Sequence, residues 1–385
     1  MKTIRGSTRH VRRPIVGKLT IDEVPILARK DHVYFCSGKP PLGYAGVLSR
    51  SQPPTFSFNP TPAIYALPEN QSSIFNEGDI LVLNPNGDVN VLWDSTVQDN
   101  CLLVTERCNC RCVMCPQPPR SDSKHLHQIN KRILNLLDPG KVERICLTGG
   151  EPTLDRKKFL ELLGECRALL PEAELAILTN AQTLADFHFA HRAATLAGPR
   201  TTFCISLHAD TADLHNSING TKDGFKKTVL GIQNLAKLRQ RIEVRFVINK
   251  LNYQRLVPYS LFIYRNFPFV VHVAFMGLEM TGWAFKNVKE VWIDPPAYRE
   301  ELRLTVMELH RRDIRVSIYN LPLCLIDRRS WRFSRQSISA WKNSYLPLCA
   351  DCSVKQKCCG VFTTSKFFSS SIAPIKVEHD KSNGK

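Results

Sequence analysis

Three cysteines stand close together after an apolar, strand-like run that ends near residue 105. Cys108, Cys112 and Cys115 have C-x3-C-x2-C spacing. Clustered thiolates bind zinc or iron–sulfur clusters, and a structural zinc site closes its tetrahedron with four protein ligands. Three ligands on a 4Fe-4S cluster leave one iron open, which predicts chemistry at the cluster. The alternative is a zinc loop in which Cys110 is the fourth ligand.

A second motif follows the next strand-like segment. Residues 144–148 read as a buried strand and are followed directly by Gly149, Gly150 and Glu151. Two glycines allow the backbone to approach a ligand closely, and a Glu carboxylate accepts hydrogen bonds from an ammonium group. The loop therefore predicts a binding site for a ligand with an amino group. A zinc loop would leave this motif unexplained.

A cysteine triad after one strand and Gly-Gly-Glu-Pro after the next resemble the radical S-adenosylmethionine (SAM) superfamily. The resemblance implies that the open iron is chelated by SAM, whose amino group is held by Glu151 and the backbone of Gly149 and Gly150. It also implies reductive cleavage of SAM to a 5′-deoxyadenosyl radical, which removes a hydrogen from the substrate. Met114 departs from the family, where an aromatic is common at this place, but its flexible apolar thioether suits the same packing.

A second group of cysteines lies near the C-terminal end of the sequence. Cys324, Cys349, Cys352 and Cys358 supply four thiolates, enough to close a site completely. Because the chain already has one predicted cluster, we interpret them as ligands of an auxiliary 4Fe-4S cluster, and a structural zinc is the alternative. Cys359 competes with Cys358 for the last position, and we choose Cys358. The region resembles the auxiliary-cluster extensions, called SPASM or twitch domains, of peptide-modifying radical SAM enzymes.

Strand-like and helix-like segments alternate from residue 100 onward. Strands are predicted at 101–105, 143–148, 174–179, 202–207, 242–248 and 270–275. A helix over 156–170 has one apolar face that includes Cys166, which we therefore assign to the core. Six strand–helix units predict an α/β fold, a partial parallel (β/α)6 barrel in which ligands collect at the C-terminal ends of the strands. Both motifs stand at such ends.

Polar residues at later strand ends are weaker candidates for the site. Asn180 and Ser206 are predicted to contact the ribose or carboxylate of SAM. Arg245 and Asn249 share one face of a later strand and are similar candidates. For each of the four, a hydrogen-bonded residue with only a structural role is the alternative.

The sequence divides into four predicted regions. Residues 1–97 form a small β-rich module, with a hairpin indicated by Asn86-Gly87 between two alternating segments. The radical SAM core occupies 98–312, and the auxiliary-cluster region, 313–365, starts with a strand near 314–319. A polar tail occupies 366–385.

The composition excludes some functions and leaves others open. A formal charge of +17 raises a nucleic-acid hypothesis, but the charges are scattered and lie in no RNA-binding motif. Solvated faces, or steering of an acidic peptide, are the alternative. There is no apolar run of eighteen residues and no secretory signal, which predicts a cytoplasmic protein without a membrane span. Fourteen cysteines then indicate metal ligands and buried thiols rather than disulfides.

A narrower resemblance suggests the substrate. The run Met-Cys-Pro-Gln-Pro-Pro from Met114, the preceding hairpin and the tail at 349–362 resemble the His-Xaa-Ser system radical SAM maturase family (HxsC), over most of residues 75–365. The resemblance implies peptide maturation on a ribosomally made substrate with His-Xaa-Ser repeats. It also implies a sister radical SAM protein and a reductant such as flavodoxin or ferredoxin. The competing hypotheses are a tRNA- or nucleotide-modifying radical SAM enzyme and a zinc-binding interaction protein without activity.

Overall fold

The computed structural model describes residues 2–36, 42–52, 61–68, 75–121, 125–336 and 342–376. The chain divides into two compact units. The first comprises Met1–Val104, Asp122–Leu147 and Leu160–Glu174. The second comprises Thr105–Ser121, Thr148–Phe159 and Leu175–Lys385.

The first unit contains a mixed eight-stranded sheet. Its strands are β1 (Thr3–Arg5), β2 (Ser7–Arg9), β3 (Ile15–Thr20), β4 (His32–Cys36), β5 (Gly46–Ser49), β6 (Ala63–Tyr65), β7 (Ile80–Leu83) and β8 (Asp88–Trp93). The strand order is β1-β8-β7-β3-β4-β5-β6-β2, with β3, β4, β5 and β6 parallel to one another. The core under this sheet is aliphatic and includes Leu19, Val33, Leu48, Ile64 and Leu81.

The predicted hairpin is confirmed as the antiparallel pair β7–β8. Its turn needs glycine at Gly87, where φ is +89°. The Gly87 N–H donates to the carbonyl of Asn84 at 3.0 Å and closes the turn. A left-handed glycine after Asn86 is the usual solution for a tight hairpin turn.

Four further elements connect the sequence motifs. They are β9 (Asp99–Thr105), α1 (Leu126–Leu136), β10 (Arg144–Gly149) and α2 (Arg156–Leu169). On α2 the side chains of Phe159, Leu162, Leu163 and Cys166 are fully buried. Cys166 is therefore a core residue, as predicted, and burial raises the pKa of its thiol to about 12.

The second unit contains a sheet of parallel strands with helices between them. The strands are β11 (Glu174–Thr179), β12 (Thr201–Ser206), β13 (Arg241–Val247), β14 (His272–Met276), β15 (Val316–Tyr319) and β16 (Ser334–Arg335). Each strand pairs in parallel with the next, from β11 to β16. The helices are α3 (Phe187–Ala197), α4 (Ala212–Asn219), α5 (Gly224–Lys237), α6 (Leu256–Asn266), α7 (Gly282–Lys286), α8 (Val288–Val291) and α9 (Arg299–Arg311).

Strand β13 shows why this sheet has one apolar and one polar face. Ile242, Val244 and Phe246 alternate along it and are completely buried. The ring centroid of Phe246 lies 4.5 Å from that of Tyr259 on α6. The intervening residues of the strand point to the opposite face, because side chains alternate along a strand.

The C-terminal part of the second unit is mostly irregular. Its strands β17 (Asn343–Ser344) and β18 (Val361–Phe362) form a short antiparallel pair. The predicted tail at 366–385 lies outside the described residues from 377 onward. Over the described parts of the chain, no helix combines the length and apolar character needed to cross a membrane.

The six predicted strands are confirmed as β9 to β14, each within two residues of its expected ends. The chain therefore has an α/β fold with a parallel sheet. Closure into a partial barrel stays a prediction. Residues 125–147 and 160–174 belong to the same compact unit as the N-terminal sheet, and the predicted division of the chain at residue 97 stays a prediction.

Candidate functional site

The cysteine triad lies on the loop that follows β9. Cys108, Cys112 and Cys115 are partly exposed, whereas Cys110 is only 3% exposed. Burial raises the pKa of the Cys115 thiol to about 11, and the adjacent Cys110 thiol raises the pKa of Cys108. Without metal, Cys108 and Cys115 are therefore thiols, and metal binding would release their protons because thiolates are the ligating form. Three partly exposed sulfurs on one loop suit a cluster with an open iron.

Gly149 and Gly150 let the Gly-Gly-Glu loop interlock with the cysteine loop. A Cβ atom on Gly149 would overlap the carbonyl oxygen of Thr105, and one on Gly150 would overlap that of Arg107. The N–H of Gly150 donates to Thr105 and that of Glu151 donates to Arg107, both at 2.8 Å. The sequence suggested that these glycines make room for a ligand. The structure adds that they make room for the neighbouring backbone.

The C-terminal end of α4 holds the middle of the cysteine loop. The N–H of Arg111 donates to the carbonyl of Asn219 at 2.8 Å, and that of Val113 donates to Ile218 at 2.9 Å. The helix ends at Gly220, which has a left-handed φ of +60°. A Cβ on Gly220 would lie 2.8 Å from the Arg111 carbonyl oxygen. Glycine is therefore required there both for the helix cap and for close approach to the loop.

The start of α7 and an apolar cluster hold the end of the cysteine loop. The N–H of Trp283 donates to the carbonyl of Cys115 at 2.8 Å. Met114 is 4% exposed and packs in a cluster with Ile218, Met280, Ala284 and Val291. The flexible methionine thus anchors the loop between the last two cysteines of the triad.

The carboxylate of Glu151 is buried and hydrogen-bonded. One oxygen accepts from the N–H of Thr153 at 3.1 Å, from its hydroxyl at 2.5 Å and from the Thr179 hydroxyl at 2.6 Å. The other accepts from the N–H of Asn180 at 2.6 Å. Burial raises the pKa of Glu151, and these hydrogen bonds oppose the rise. The second oxygen has capacity for a further donor, as an ammonium group would provide.

Asn180 connects the end of β11 to the cysteine loop. Its side-chain nitrogen donates to the Asn109 side chain at 2.8 Å and lies 3.3 Å from the sulfur of Cys110. The amide nitrogen of Gln182 lies 3.1 Å from the same sulfur. Asn180 and Cys110 thus belong to one buried polar network. The network gives Cys110 a role in holding the loop that sequence reasoning missed, because Gln182 reaches it across 72 positions.

Ser206 ends β12 beside a charged patch on the polar face of the sheet. Ser206 is paired in register with Arg245. Arg245 donates to Glu243 at 2.5 Å, and the Glu243 carboxylate also lies 2.6 Å from His272 Nδ1. His272 Nε2 lies 2.9 Å from the Ser317 hydroxyl. Arg245 was a sequence candidate, but its partners were missed, although charged residues alternating with apolar ones in β13 were a usable signal.

Burial and charge set the ionisation of this patch. Burial raises the pKa of Glu243, but the hydrogen bond from His272 and the charge of Arg245 outweigh it and bring the pKa to about 2. Asn249, the other candidate on this strand, is fully buried and its side chain bonds backbone groups of Val247 and Leu251. Asn249 therefore caps a turn in this structure.

The second cysteine group surrounds a cavity. Cys324, Cys349, Cys352 and Cys358 all line one pocket, and Cys359 is not among the lining residues. The sulfur of Cys358 accepts N–H groups from Leu323 and Gly360, each at 3.4 Å, and that of Cys352 accepts from Ile375 at 3.4 Å. Backbone N–H donors to sulfur favour thiolate, so this donor set suits a metal centre.

The two neighbouring cysteines at 358 and 359 have opposite environments. The Cys359 thiol, together with backbone N–H groups, lowers the pKa of Cys358 to about 6 despite its burial. The hydrogen bond of the Cys359 thiol with Cys358, together with burial, raises its pKa far above the usual range, and its sulfur lies 3.4 Å from the carbonyl oxygen of Gly360. None of the fourteen cysteines forms a disulfide bond in the structure. Within the described ranges, no three His, Cys, Asp or Glu side chains are gathered closely enough to hold a single metal ion.

These features define a class: an α/β domain whose parallel strands lead into a three-cysteine loop interlocked with a Gly-Gly-Glu loop. Residues 102–257 match the family model described as the Radical SAM superfamily. The match implies a 4Fe-4S cluster and SAM as the cofactors of this segment.

Similar proteins are known in sequence and in structure. GTP 3',8-cyclase of Petrotoga mobilis is 29% identical over 137 residues, which cover 34% of this chain and 40% of that protein. GTP 3',8-cyclase of Sulfurimonas denitrificans is 29% identical over 174 residues, 43% of this chain and 51% of that protein. The chain thus spans about half, or less, of the curated relatives it matches. The crystal structure of Streptococcus suis SuiB bound to S-adenosylmethionine has a TM-score of 0.46 and 16% identity, covering 58% of this chain and 51% of that one.

Proposed function

We propose that the protein is a radical SAM enzyme that modifies a ribosomally synthesised peptide with His-Xaa-Ser repeats. The observation that supports the radical SAM part of the proposal is the backbone interlock between the cysteine loop and the loop of Gly149, Gly150 and Glu151. Cys108, Cys112 and Cys115 would hold the cluster. When bound, the cluster and SAM supply a 5′-deoxyadenosyl radical, which removes a hydrogen atom from the substrate.

The remaining residues of the site orient and enclose the bound group. Glu151 and the backbone of Gly149 and Gly150 would hold the amino group of SAM. Ser206 is partly exposed at a strand end and would contact the ribose or carboxylate. The side chain of Asn180 is 8% exposed and bonded to Asn109 and Cys110, so its contribution would be to fix the loop.

Cys324, Cys349, Cys352 and Cys358 would hold the auxiliary 4Fe-4S cluster. The cavity that they share and the N–H donors to two of their sulfurs support this assignment. Structural zinc is the alternative for the same four thiolates. The auxiliary group in turn supports a peptide substrate, because the resemblance is to extensions of peptide-modifying enzymes. A sister radical SAM protein and a flavodoxin or ferredoxin are the proposed partners.

A nucleotide substrate is the second candidate. It is favoured by the two curated relatives, which are GTP 3',8-cyclases, and by the net charge of +17. Incubation of the reconstituted protein with SAM, reductant and either GTP or the peptide separates the two. Chromatographic separation and mass spectrometry of the products then show which substrate is converted. A peptide product supports the main proposal, and a GTP product replaces it.

The radical SAM part is tested with two cysteine variants from the same loop. We expect Cys112→Ala to lose the cluster and abolish SAM cleavage to methionine and 5′-deoxyadenosine, because a thiolate ligand is removed. Cys110→Ser keeps a hydrogen-bond acceptor for Asn180 and Gln182 and should keep both. Equal SAM cleavage by Cys112→Ala and wild type would exclude the assigned ligand set. Zinc without iron or sulfide after anaerobic purification would exclude both enzyme functions.

A further inference from the structure

Two buried side chains on α4 form a hydrogen-bonded pair close to one cysteine of the triad. His215 and Asn219 are 0% and 1% exposed. The side-chain nitrogen of Asn219 lies 2.7 Å from His215 Nε2, and its oxygen lies 3.7 Å from the sulfur of Cys112. Asn219 is thus the link between a buried histidine and a proposed cluster ligand. Nothing in the predicted mechanism uses either side chain.

The hydrogen bonds of His215 fix which of its nitrogens carries the proton. The backbone N–H of His208 donates to His215 Nδ1 at 3.1 Å, so Nδ1 is an acceptor and has no proton. A neutral imidazole carries one proton, which must then lie on Nε2. Burial lowers the pKa of His215 to about 4, which agrees with a neutral ring. His215 Nε2 is therefore a donor toward Asn219.

A donor at Nε2 requires the oxygen of Asn219, not its nitrogen, to face the histidine. Two N–H groups at 2.7 Å cannot bond each other, and a half-turn of the amide exchanges its two ends. The half-turn places the Asn219 NH₂ group toward Cys112. The same orientation is required from the other side, because a ligating thiolate has no proton and can only accept. His215 on one side of Asn219 and the Cys112 thiolate on the other therefore require the same orientation of the Asn219 amide.

We propose that Asn219 is a positioning residue that donates a side-chain N–H hydrogen bond to the Cys112 thiolate, with its orientation set by His215. The inference rests on the proposed cluster at the triad. An N–H donor disperses negative charge on the ligand sulfur and stabilises the reduced cluster more than the oxidised one. The hydrogen bond therefore raises the reduction potential and eases delivery of the electron that SAM cleavage requires.

The test is an EPR-monitored redox titration of the SAM-binding cluster in the full-length, reconstituted protein. Asn219→Leu has similar size and no donor, and it should lower the equilibrium constant for one-electron reduction by about tenfold, equivalent to about 59 mV. His215→Leu releases the amide and should shift the potential in the same direction. His215→Gln keeps an N–H donor toward Asn219 and should restore a potential near that of wild type.

A matched control separates this effect from general loss of stability. Asn234 on α5 is also a buried asparagine, and its amide donates to carbonyls of Leu184 and Ala185. Asn234→Leu should destabilise the fold without moving the potential. A wild-type potential in Asn219→Leu at full iron content would overturn the inference.

A measurement on wild type keeps the inference testable if the variants lose the cluster. With ¹⁵N in asparagine side chains only, pulsed EPR of the reduced cluster should show a ¹⁵N coupling through the hydrogen bond. Absence of that coupling would overturn the inference whatever the variants do. Failure of wild type to form a cluster or cleave SAM would instead contradict the proposed function, so the two failures are distinct.

Discussion

The carboxylate of Glu151 stabilises the fold by accepting hydrogen bonds, in addition to its proposed role in binding a ligand. Its oxygens accept from Thr153, Thr179 and Asn180 in a fully buried pocket. We predict that Glu151→Gln lowers the free energy of unfolding by about 1–3 kcal/mol, because an NH₂ group then faces donors that lose their acceptor. Chemical denaturation of the metal-free protein measures this cost. Calorimetry on the reconstituted protein should show weaker SAM binding.

A surface glutamate provides the control for this change. Glu165 pairs with Lys131 at 2.6 Å on a partly exposed face, where ion pairs contribute little. Glu165→Gln should leave both the unfolding free energy and SAM binding close to wild type. An unfolding curve for Glu151→Gln that matches Glu165→Gln would contradict the buried acceptor role.

Glu243 gives a prediction about acid stability. His272 and Arg245 bring its pKa from 4.5 to about 2. A carboxylate with a lowered folded-state pKa contributes stability that is present above its unfolded pKa and is lost as pH falls through its folded pKa. We therefore expect the stability advantage of wild type over Glu243→Gln to be full above pH 4.5 and to disappear as pH falls toward about 2. Unfolding free energies measured across this range provide the check.

The exposed carboxylate of Glu290 is the comparison for the acid prediction. The difference in unfolding free energy between wild type and Glu290→Gln should not show the dependence on pH expected for Glu243→Gln. A difference between wild type and Glu243→Gln that stays constant down to pH 2 would show that the pairing with His272 and Arg245 does not perturb Glu243.

At the scale of elements, the two loops can interlock because glycine has no Cβ and leaves room for the neighbouring backbone. The interlock does not require unusual backbone angles. Gly150 has no left-handed φ, but a Cβ there would overlap the Arg107 carbonyl. We predict that Gly150→Ala separates the loops, costs typically about 1–3 kcal/mol and reduces the iron bound at the triad. Gly140→Ala is the control, because its Cβ would meet only Asp138 Oδ1 at 3.8 Å. Thermal unfolding and iron per chain are the measurements. Equal iron in both variants would contradict the interlock.

The sequence predicted elements whose signal is local. Strand β13 was predicted as a strand-like segment on which Arg245 and Asn249 share one face, and α2 because Phe159, Leu162 and Cys166 recur at helical spacing. Contacts between segments that are distant in sequence could not be predicted from such local patterns. The end of α4 holds Arg111 from more than a hundred positions away, and the parallel pairing of β3 to β6 has no hairpin turn to indicate it. Residue types at the candidate site were therefore predictable, whereas the partners that fix them were not.

At the scale of the whole molecule, the two cysteine groups differ in how they are built. The triad lies on one continuous loop that other segments hold by its backbone. The second group draws Cys324 and Cys358 from separate segments into one cavity. Spacing alone identified the first group, because its ligands are local. For the second group the sequence could not decide between adjacent cysteines, since that choice depends on which side chain faces the cavity.

The second cysteine group leads to a prediction about the total metal content of the protein. If both groups hold 4Fe-4S clusters, wild type binds about eight irons per chain, and Cys358→Ser should bind about four, because one auxiliary ligand is lost while the triad is intact. Cys359→Ser should bind about eight, because Cys359 does not line the cavity and its thiol bonds the carbonyl of Gly360. Iron, sulfide and zinc analysis after anaerobic reconstitution measures this. Loss of iron from Cys359→Ser but not from Cys358→Ser would show that Cys359, not Cys358, is the ligand. One zinc per chain together with about four irons would show that the second site is a structural zinc site.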